Sequence, residues 1–375
     1  MTVYPWKWNL ADLPEPAADA PTAFSCFSCG GGSTMGYKRA GFRVLGNVEI
    51  DPAMFAMYMR NHHPAHSYCM DIRQFNQMEG YPPELMDLDV LDGSPPCTTF
   101  STAGLREESW GKAKQFREGQ KFQTLDDLFM VFLDTVDRLR PRAVVAENVS
   151  GILKGNAKGY VKEVYDRLSG MGYATQIFRL NACDFDVPQG RERVFVIANR
   201  MGMPKLTIER SPAPLLKFGE VRSRAPGRKP KAGSTTEFLL SKRLPSDETI
   251  GAINMRLYGK LSGFTRYIFQ DDRVASTLAA NGGYVRGCDG TYLTDEDMIN
   301  VSTFPQDYDF MGGPVHYAVG MSVPPSLMAH IAESIREQWV SRPGWRGQRW
   351  RRSTSPSGPC SAPSPGPSWP TSWRT

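Results

Sequence analysis

The 375-residue chain contains no run of 18 or more apolar residues, so a helical membrane span is excluded. Its first 23 residues include Trp6, Trp8 and several prolines. They lack the basic head and apolar core of a secretory signal. Cysteine is sparse, with seven scattered at Cys26, Cys29, Cys69, Cys97, Cys183, Cys288 and Cys360. An odd number without regular spacing gives no disulfide framework and points to a reducing, cytoplasmic setting. Cys26 and Cys29 form a C-x-x-C, but no second pair follows at a zinc-site spacing, so no metal is expected. The chain also has no internal repeat.

What is present is a core-forming composition, 41% apolar, in a length that suggests two domains or one large domain with an insertion. The net charge is only +5, but it is uneven: residues 201–270 hold 13 Lys or Arg against 5 Asp or Glu, a net of +8. Arg222, Arg224, Arg228, Lys229 and Lys231 fall within ten residues, a pattern suited to a polyanion or to a solvated loop. Apolar pieces at Phe238–Leu240 and Tyr267–Phe269 read as strands. Residues 201–270 are therefore expected to form a small basic module with one long loop. From residue 341 onward the chain is rich in Pro, Ser, Gly, Arg and Trp without periodicity, and a disordered tail is expected over 341–375.

Before residue 200, apolar runs alternate with amphipathic stretches. Strands are expected at 23–28, 43–50, ending at 92, 143–146 and 193–198. Helices are expected at 34–40, 52–61, 124–139 and 161–168. In the third helix Leu125, Leu128, Phe129, Phe132, Val136 and Leu139 make one stripe. Such alternation predicts an α/β fold with a doubly wound, mostly parallel sheet.

Four short motifs could carry chemistry. The run Asp89–Leu91 stops at Ser94-Pro95-Pro96-Cys97, which puts a thiol in a stiff turn at the carboxyl edge of the sheet, where open α/β sheets hold ligands. Taken alone, Cys97 is a nucleophile or a buried structural cysteine. Gly30-Gly31-Gly32 follows the first strand and Glu49 ends the second, an arrangement that admits a nucleotide-type cofactor with the acid on its ribose, or merely a tight turn. The G-x-G-x-x-G pattern is not matched there, so a nicotinamide dehydrogenase rests on little. Glu147-Asn148-Val149 ends the strand after the long helix. Arg191 and Arg193, at i and i+2 on extended chain, face one way and can pair with a carboxylate such as Glu147.

In order, Phe27 with Gly31-Gly32, Glu49-Ile50-Asp51, Pro95-Pro96-Cys97, Glu147-Asn148-Val149, Gln189 with Arg191 and Arg193, and Gly320 with Val323-Pro324-Pro325 resemble a cytosine-C5 DNA methyltransferase over residues 23–338. The resemblance implies a Rossmann-like catalytic domain over 23–200 that binds S-adenosylmethionine. It also implies a target-recognition domain over 201–270, with 271–340 returning to the catalytic domain and 1–22 as an N-terminal extension. Cys97 would add to C6 of a flipped cytosine and make C5 nucleophilic. Glu147 would protonate N3 and bind the exocyclic amine. Arg193 would contact O2, and Arg191 would support it and is a candidate phosphate contact. Phe27, Gly31, Gly32, Glu49 and Ile50 would hold the cofactor. Asp71, Ile72, Pro96, Leu128, Met321 and Ser322 would complete its site, with Asp71 on the adenine amine. Thr98–Lys112 is expected to close as a lid over the base. Double-stranded DNA is the expected partner, and the enzyme is expected to be monomeric and free of metal.

The chain departs from this family at four positions. Cys29 stands where glycine is usual, Ser25 where aspartate is usual, and Thr98 where glutamine is common. Gly320-Met321-Ser322 replaces Gly-Asn-Ser or Gly-Asn-Ala, so a thioether takes the place of an amide near the cofactor. That exchange leaves open weakened cofactor binding or a modified S-adenosylmethionine-type donor. An RNA cytosine methyltransferase and a nucleic-acid-binding protein with an inactive methyltransferase domain are the competing readings.

Overall fold

A computed structural model of the protein describes residues 2–96, 128–153, 157–260, 266–343 and 345. Seven strands build the central sheet: β1 (Thr22–Cys26), β2 (Arg43–Glu49), β3 (His66–Cys69), β4 (Val90–Gly93), β5 (Ala143–Val149), β6 (Ala174–Asn181) and β7 (Glu192–Asn199). Their order is β3-β2-β1-β4-β5-β7-β6. The first five are parallel, and β7 runs antiparallel to both β5 and β6.

Alternation along the strands builds two cores. Val144, Ala146, Val194 and Val196 face one side with the helix Leu128–Leu139, whose Leu128, Phe129, Phe132, Val136 and Leu139 form the described part of the expected stripe, Leu125 lying outside the described residues. Ala143, Val145, Phe195 and Ile197 face the other side with Leu327, Met328, Ile331 and Ile335 of the helix Pro325–Ile335. A sheet covered by helices on both faces must be apolar on both, and each central strand is. Strand β3 is silent in the sequence because it is four residues long and only half-buried. Strand β6 is silent because its pattern lacks clear in–out alternation.

A separate small core joins Leu239, Leu240, Ile250, Ile253, Ile268 and Val285. Phe238–Leu240 belongs to a helix, Thr235–Ser241, and not to a strand as the apolar run suggested. The reason is local: Ser234 caps the helix by accepting from the Glu237 amide at 3.2 Å, and Leu239 and Leu240 are buried while Phe238 is exposed. Residues 201–211, expected to belong to the basic module, pack instead against the central sheet and its helices. Met201 and Leu206 enter the core beside the last helix, and the Ser211 hydroxyl donates to Asp186.

The expected disorder from residue 341 is also corrected at its beginning. Trp345 is buried, stacks on Trp339 with ring centroids 6.4 Å apart, and donates its indole N–H to Asp89 Oδ1 at 2.7 Å. An aromatic ring with one polar atom finds there both an apolar face and an acceptor. Residues 346–375 lie outside the described residues. Among the described residues no helix is long and apolar enough to cross a membrane, and no cluster of three metal-type side chains occurs.

One buried acid lies between the two central strands. Ser25 on β1 is register-paired with Asp92 on β4, and its hydroxyl donates to Asp92 Oδ2 at 2.9 Å. The acid absent from the usual β1 position is thus supplied by the neighbouring strand. Burial pushes the Asp92 carboxyl up to about 7, against the opposing effect of the Ser25 and Ser33 hydroxyls. Its folded-state value is therefore raised above the unfolded one, and between about pH 4 and 7 the folded chain holds a proton that the unfolded chain has lost. The cost of burying the charge is absent below about pH 4 and reaches about 4 kcal/mol above pH 7. Asp92→Asn keeps an acceptor for Ser25 and removes that cost. The variant should raise the melting temperature relative to wild type more at pH 8 than at pH 5, read by differential scanning calorimetry; equal shifts at the two pH values would refute the assignment.

Candidate active site

The parallel strands bring five loops to one edge. Phe27 follows β1, Glu49 ends β2, Met70–Ile72 follows β3, Ser94–Pro96 follows β4 and Glu147–Val149 ends β5. Side chains from all five line a single cavity, as expected at the carboxyl edge of an open α/β sheet. Strand β7 is antiparallel, so it is its amino end that arrives there. Arg193 lies opposite Val149 in the ladder, on the same face as Glu147 two residues earlier. Arg193 Nε sits 2.9 Å from Glu147 Oε1, with both side chains nearly buried. A second guanidinium hydrogen bond, Arg193 Nη1 to the Glu192 carbonyl at 2.8 Å, fixes the fork.

Asn148, between the acid and the next loop, donates to the Pro95 carbonyl at 3.2 Å and accepts the Val149 amide at 2.8 Å. It ties the end of β5 to the proline turn. Pro95 and Pro96 line the cavity, and the next residue is Cys97. Cys97 and Thr98–Lys112 lie outside the described residues.

On the other side, the Glu49 carboxylate accepts the Cys29 amide at Oε2 and the Asp51 amide at Oε1, each at 2.8 Å. Burial raises its pKa despite these two bonds. Asp71 caps the short helix after it by accepting from the Arg73 amide at 2.8 Å, and its carboxylate is also held by the Arg73 guanidinium at 3.2 Å. Ile50 is 36% exposed and, with Phe27, Ile72 and Leu128, supplies apolar lining to the same cavity as the two carboxylates. Met321, 39% exposed, forms part of the wall.

Eleven of the expected site residues thus converge: Phe27, Glu49, Ile50, Asp71, Ile72, Pro96, Leu128, Glu147, Arg191, Arg193 and Met321 all line the cavity. Gly31 and Gly32 do not. Gly31 has a φ of +76°, and a Cβ there would sit 2.3 Å from His62 Nε2; a Cβ on Gly32 would meet the Val323 carbonyl oxygen at 2.1 Å. These glycines let the loop pack closely against the protein behind it. Ser322 is buried and does not line the cavity either; its hydroxyl lies against the Cys29 thiol.

Arg191 also departs from expectation. It is buried and donates to the carbonyls of Leu278 at 2.8 Å, Gly320 at 2.9 Å and Ser322 at 3.1 Å. Burial, with the neighbouring Arg193 charge, pulls its guanidinium down to about 9. Facing carbonyls instead of solvent, it is a positioning residue that joins β7 to the Met321 segment, and it is not presented to phosphate. Sequence spacing aligned the two arginines but could not reveal where the three carbonyls converge.

Cys29, which replaces a glycine, lines the cavity with a left-handed φ of 46°. Burial pushes its thiol up to about 12, with Glu49 adding to the effect, so it stays neutral and unreactive near pH 7.

The geometry suits S-adenosylmethionine on the chemistry of the donor set. Two carboxylates, Glu49 and Asp71, line one cavity with the apolar side chains of Phe27, Ile50, Ile72 and Leu128. Residues 22–337 match the model of the C-5 cytosine-specific DNA methylase family. The chain is 32% identical over 180 residues to the Type II methyltransferase M.NgoPII of Neisseria gonorrhoeae, and this match spans 47% of each chain, about half of that relative. It is 25% identical over 342 residues to the Type II methyltransferase M.NgoFVII of the same organism, covering 85% of this chain and 87% of the relative. Its fold is similar to that of Spodoptera frugiperda DNMT2, with a TM-score of 0.58, 14% identity and coverage of 84% and 99% of the two chains. With the family model spanning most of its length, the chain belongs to the C-5 cytosine-specific DNA methylase family.

Proposed function

We propose that the protein transfers a methyl group from S-adenosylmethionine to C5 of a cytosine flipped out of double-stranded DNA. The observation that carries this reading is the single cavity in which the Glu147–Arg193 pair, the Pro95-Pro96 turn before Cys97 and the Glu49–Asp71 carboxylates meet. One half of the cavity can read a pyrimidine edge, and the other can hold a nucleoside. The family, whose model is that of a C-5 cytosine-specific DNA methylase, supports DNA over RNA.

Glu49 would take the ribose hydroxyls, Asp71 the adenine amine, Ile50, Phe27 and Leu128 the adenine faces, and Ser322 a polar group of the amino-acid portion. When bound there, the cofactor supplies an electrophilic methyl group. The Cys97 thiolate bonds to cytosine C6, and a proton from Glu147 to N3 takes up the electron pair displaced from the C5–C6 double bond. The ring then behaves as an enamine at C5. Arg193, held by Glu147 and by the Glu192 carbonyl, offers its remaining N–H groups to O2. After transfer, a base removes the C5 proton, the double bond reforms, the thiolate leaves and N3 returns its proton to Glu147. Ordered water can serve as that base. Arg191 and Asn148 do not touch substrate; they hold Met321 and Pro95 in place.

The unit built around Leu239, Ile253 and Ile268 is the proposed target-recognition domain. Arg224, Arg228, Lys229 and Lys231 are exposed beside it, placed to neutralise phosphates and release counterions. A monomeric, metal-free enzyme acting in the cytoplasm completes the reading.

Two experiments test it. Cys97→Ala should abolish covalent trapping on duplex DNA containing 5-fluorocytosine, read as loss of a shifted band on a denaturing gel; trapping that persists would end the proposal. Because Met321 offers no amide to the cofactor, the transferred group itself needs identification. Mass spectrometry of nucleosides from modified duplex DNA should show a gain of one methyl group on cytosine, with transfer RNA unmodified. Any other added mass would favour the modified donor instead.

A further inference from the structure

The segment before residue 22 lies outside the family match, yet it is tightly held. Tyr4 is buried, its amide donates to Asp186 Oδ2 at 2.7 Å, and its ring meets His330 edge-on at 4.9 Å. The Arg39 guanidinium lies 4.8 Å from the Tyr4 ring centroid and 4.5 Å from that of Trp8, and it donates to the Pro5 carbonyl at 2.9 Å. Arg39 belongs to the helix that leaves the glycine loop.

Further along, the same segment grips the C-terminal part of the chain. Trp8 Nε1 donates to the Thr303 carbonyl at 2.9 Å, and the Gln306 amide donates to the Trp8 carbonyl at 2.9 Å. Asp307 accepts the Leu10 amide at Oδ1, 2.7 Å, and the Ala11 amide at Oδ2, 2.9 Å. The next residue is Tyr308. It is buried, and its hydroxyl donates to the Gly30 carbonyl at 2.6 Å. Its ring stands 6.1 Å from that of His62, which in turn packs on Gly31.

The loop held in this way is under strain. Phe27 at φ 56°, Cys29 at 46° and Gly31 at 76° all adopt left-handed backbone, which for the two non-glycine residues must be imposed by their surroundings. Phe27 and Cys29 line the cofactor half of the cavity. The support from behind comes from Tyr308 and His62.

We propose that residues 2–12 act as a strap that fixes Thr303–Tyr308, and that Tyr308, through its bond to the Gly30 carbonyl, is a positioning residue setting the affinity for S-adenosylmethionine. The inference rests on the reading that the cavity takes this cofactor. Tyr308 touches no reacting atom; it acts by keeping Phe27 and Cys29 where the ligand needs them.

The test measures binding of S-adenosylmethionine and S-adenosylhomocysteine to the full chain by isothermal titration calorimetry. Tyr308→Phe keeps the ring and loses only the hydroxyl. It should weaken both ligands about five-fold, the worth of one net hydrogen bond, and raise KM for the cofactor. The kcat, the KM for DNA and the melting temperature of the ligand-free protein should stay near wild type, which a general loss of stability would not allow. Trp8→Ala and Asp307→Ala, which release the strap, should weaken binding in the same direction. Combined with Tyr308→Phe they should add less than their separate effects, because they act through one bond. Wild-type affinity in Tyr308→Phe would overturn the inference while leaving the cofactor reading intact. No saturable binding by wild type would overturn both. Strap variants that bind normally, or that add fully to Tyr308→Phe, would overturn the role of residues 2–12.

Discussion

The reversal of β7 decides what the cavity can do. Five parallel strands deliver their carboxyl ends to one edge, and a sixth parallel strand in the β7 position would have delivered Asn199 there. Running antiparallel, β7 delivers Arg193 instead, beside Glu147. A nearly buried carboxylate without a partner is costly, and so is a lone buried guanidinium. Placed 2.9 Å apart, each removes much of the other's cost while keeping free the hydrogen-bonding edges that a base would meet. The ladder from Ala143–Asn199 to Val149–Arg193 is regular throughout, so the site inherits its precision from the sheet and not from a loop.

Much of this was legible in the sequence, for identifiable reasons. Central parallel strands are apolar on both faces, and the helices that cover them carry stripes such as Leu128 to Leu139, so both kinds of element announce themselves. The ends of those strands carried Glu49, Glu147 and the proline turn, and the topology does the rest: any polar residue at a carboxyl end reaches the same edge. What stayed hidden was whatever depends on partners remote in sequence. Arg191 reads like Arg193 until the carbonyls of Leu278, Gly320 and Ser322 are in view. Gly31 and Gly32 read as a ligand cradle because a tight approach to a ligand and to His62 or Val323 make the same demand on a side chain.

Two further departures from expectation share one cause: packing overrides composition. Phe238–Leu240 is apolar enough for a strand, but the Ser234 cap and the burial of only two of its three residues make it a helix turn. The start of the tail is rich in residues that usually mark disorder, yet a single indole suffices to seat Trp345 against Trp339 and Asp89. Asp89 is already engaged with the Thr22 amide and with Arg142, so the amino edge of the sheet is closed by a polar network just as its opposite edge is left open.

The Ser25–Asp92 pair shows why the usual residue is not always the better one. Restoring aspartate at position 25 would look like a harmless return to the family's habit, and consensus exchanges of that kind often stabilise proteins. Here it would set two carboxylates side by side on adjacent buried strands, in direct register, where they would have to share a proton or repel. The two positions form a linked trait. The order of exchange therefore matters: aspartate fits position 25 only once position 92 has lost its charge.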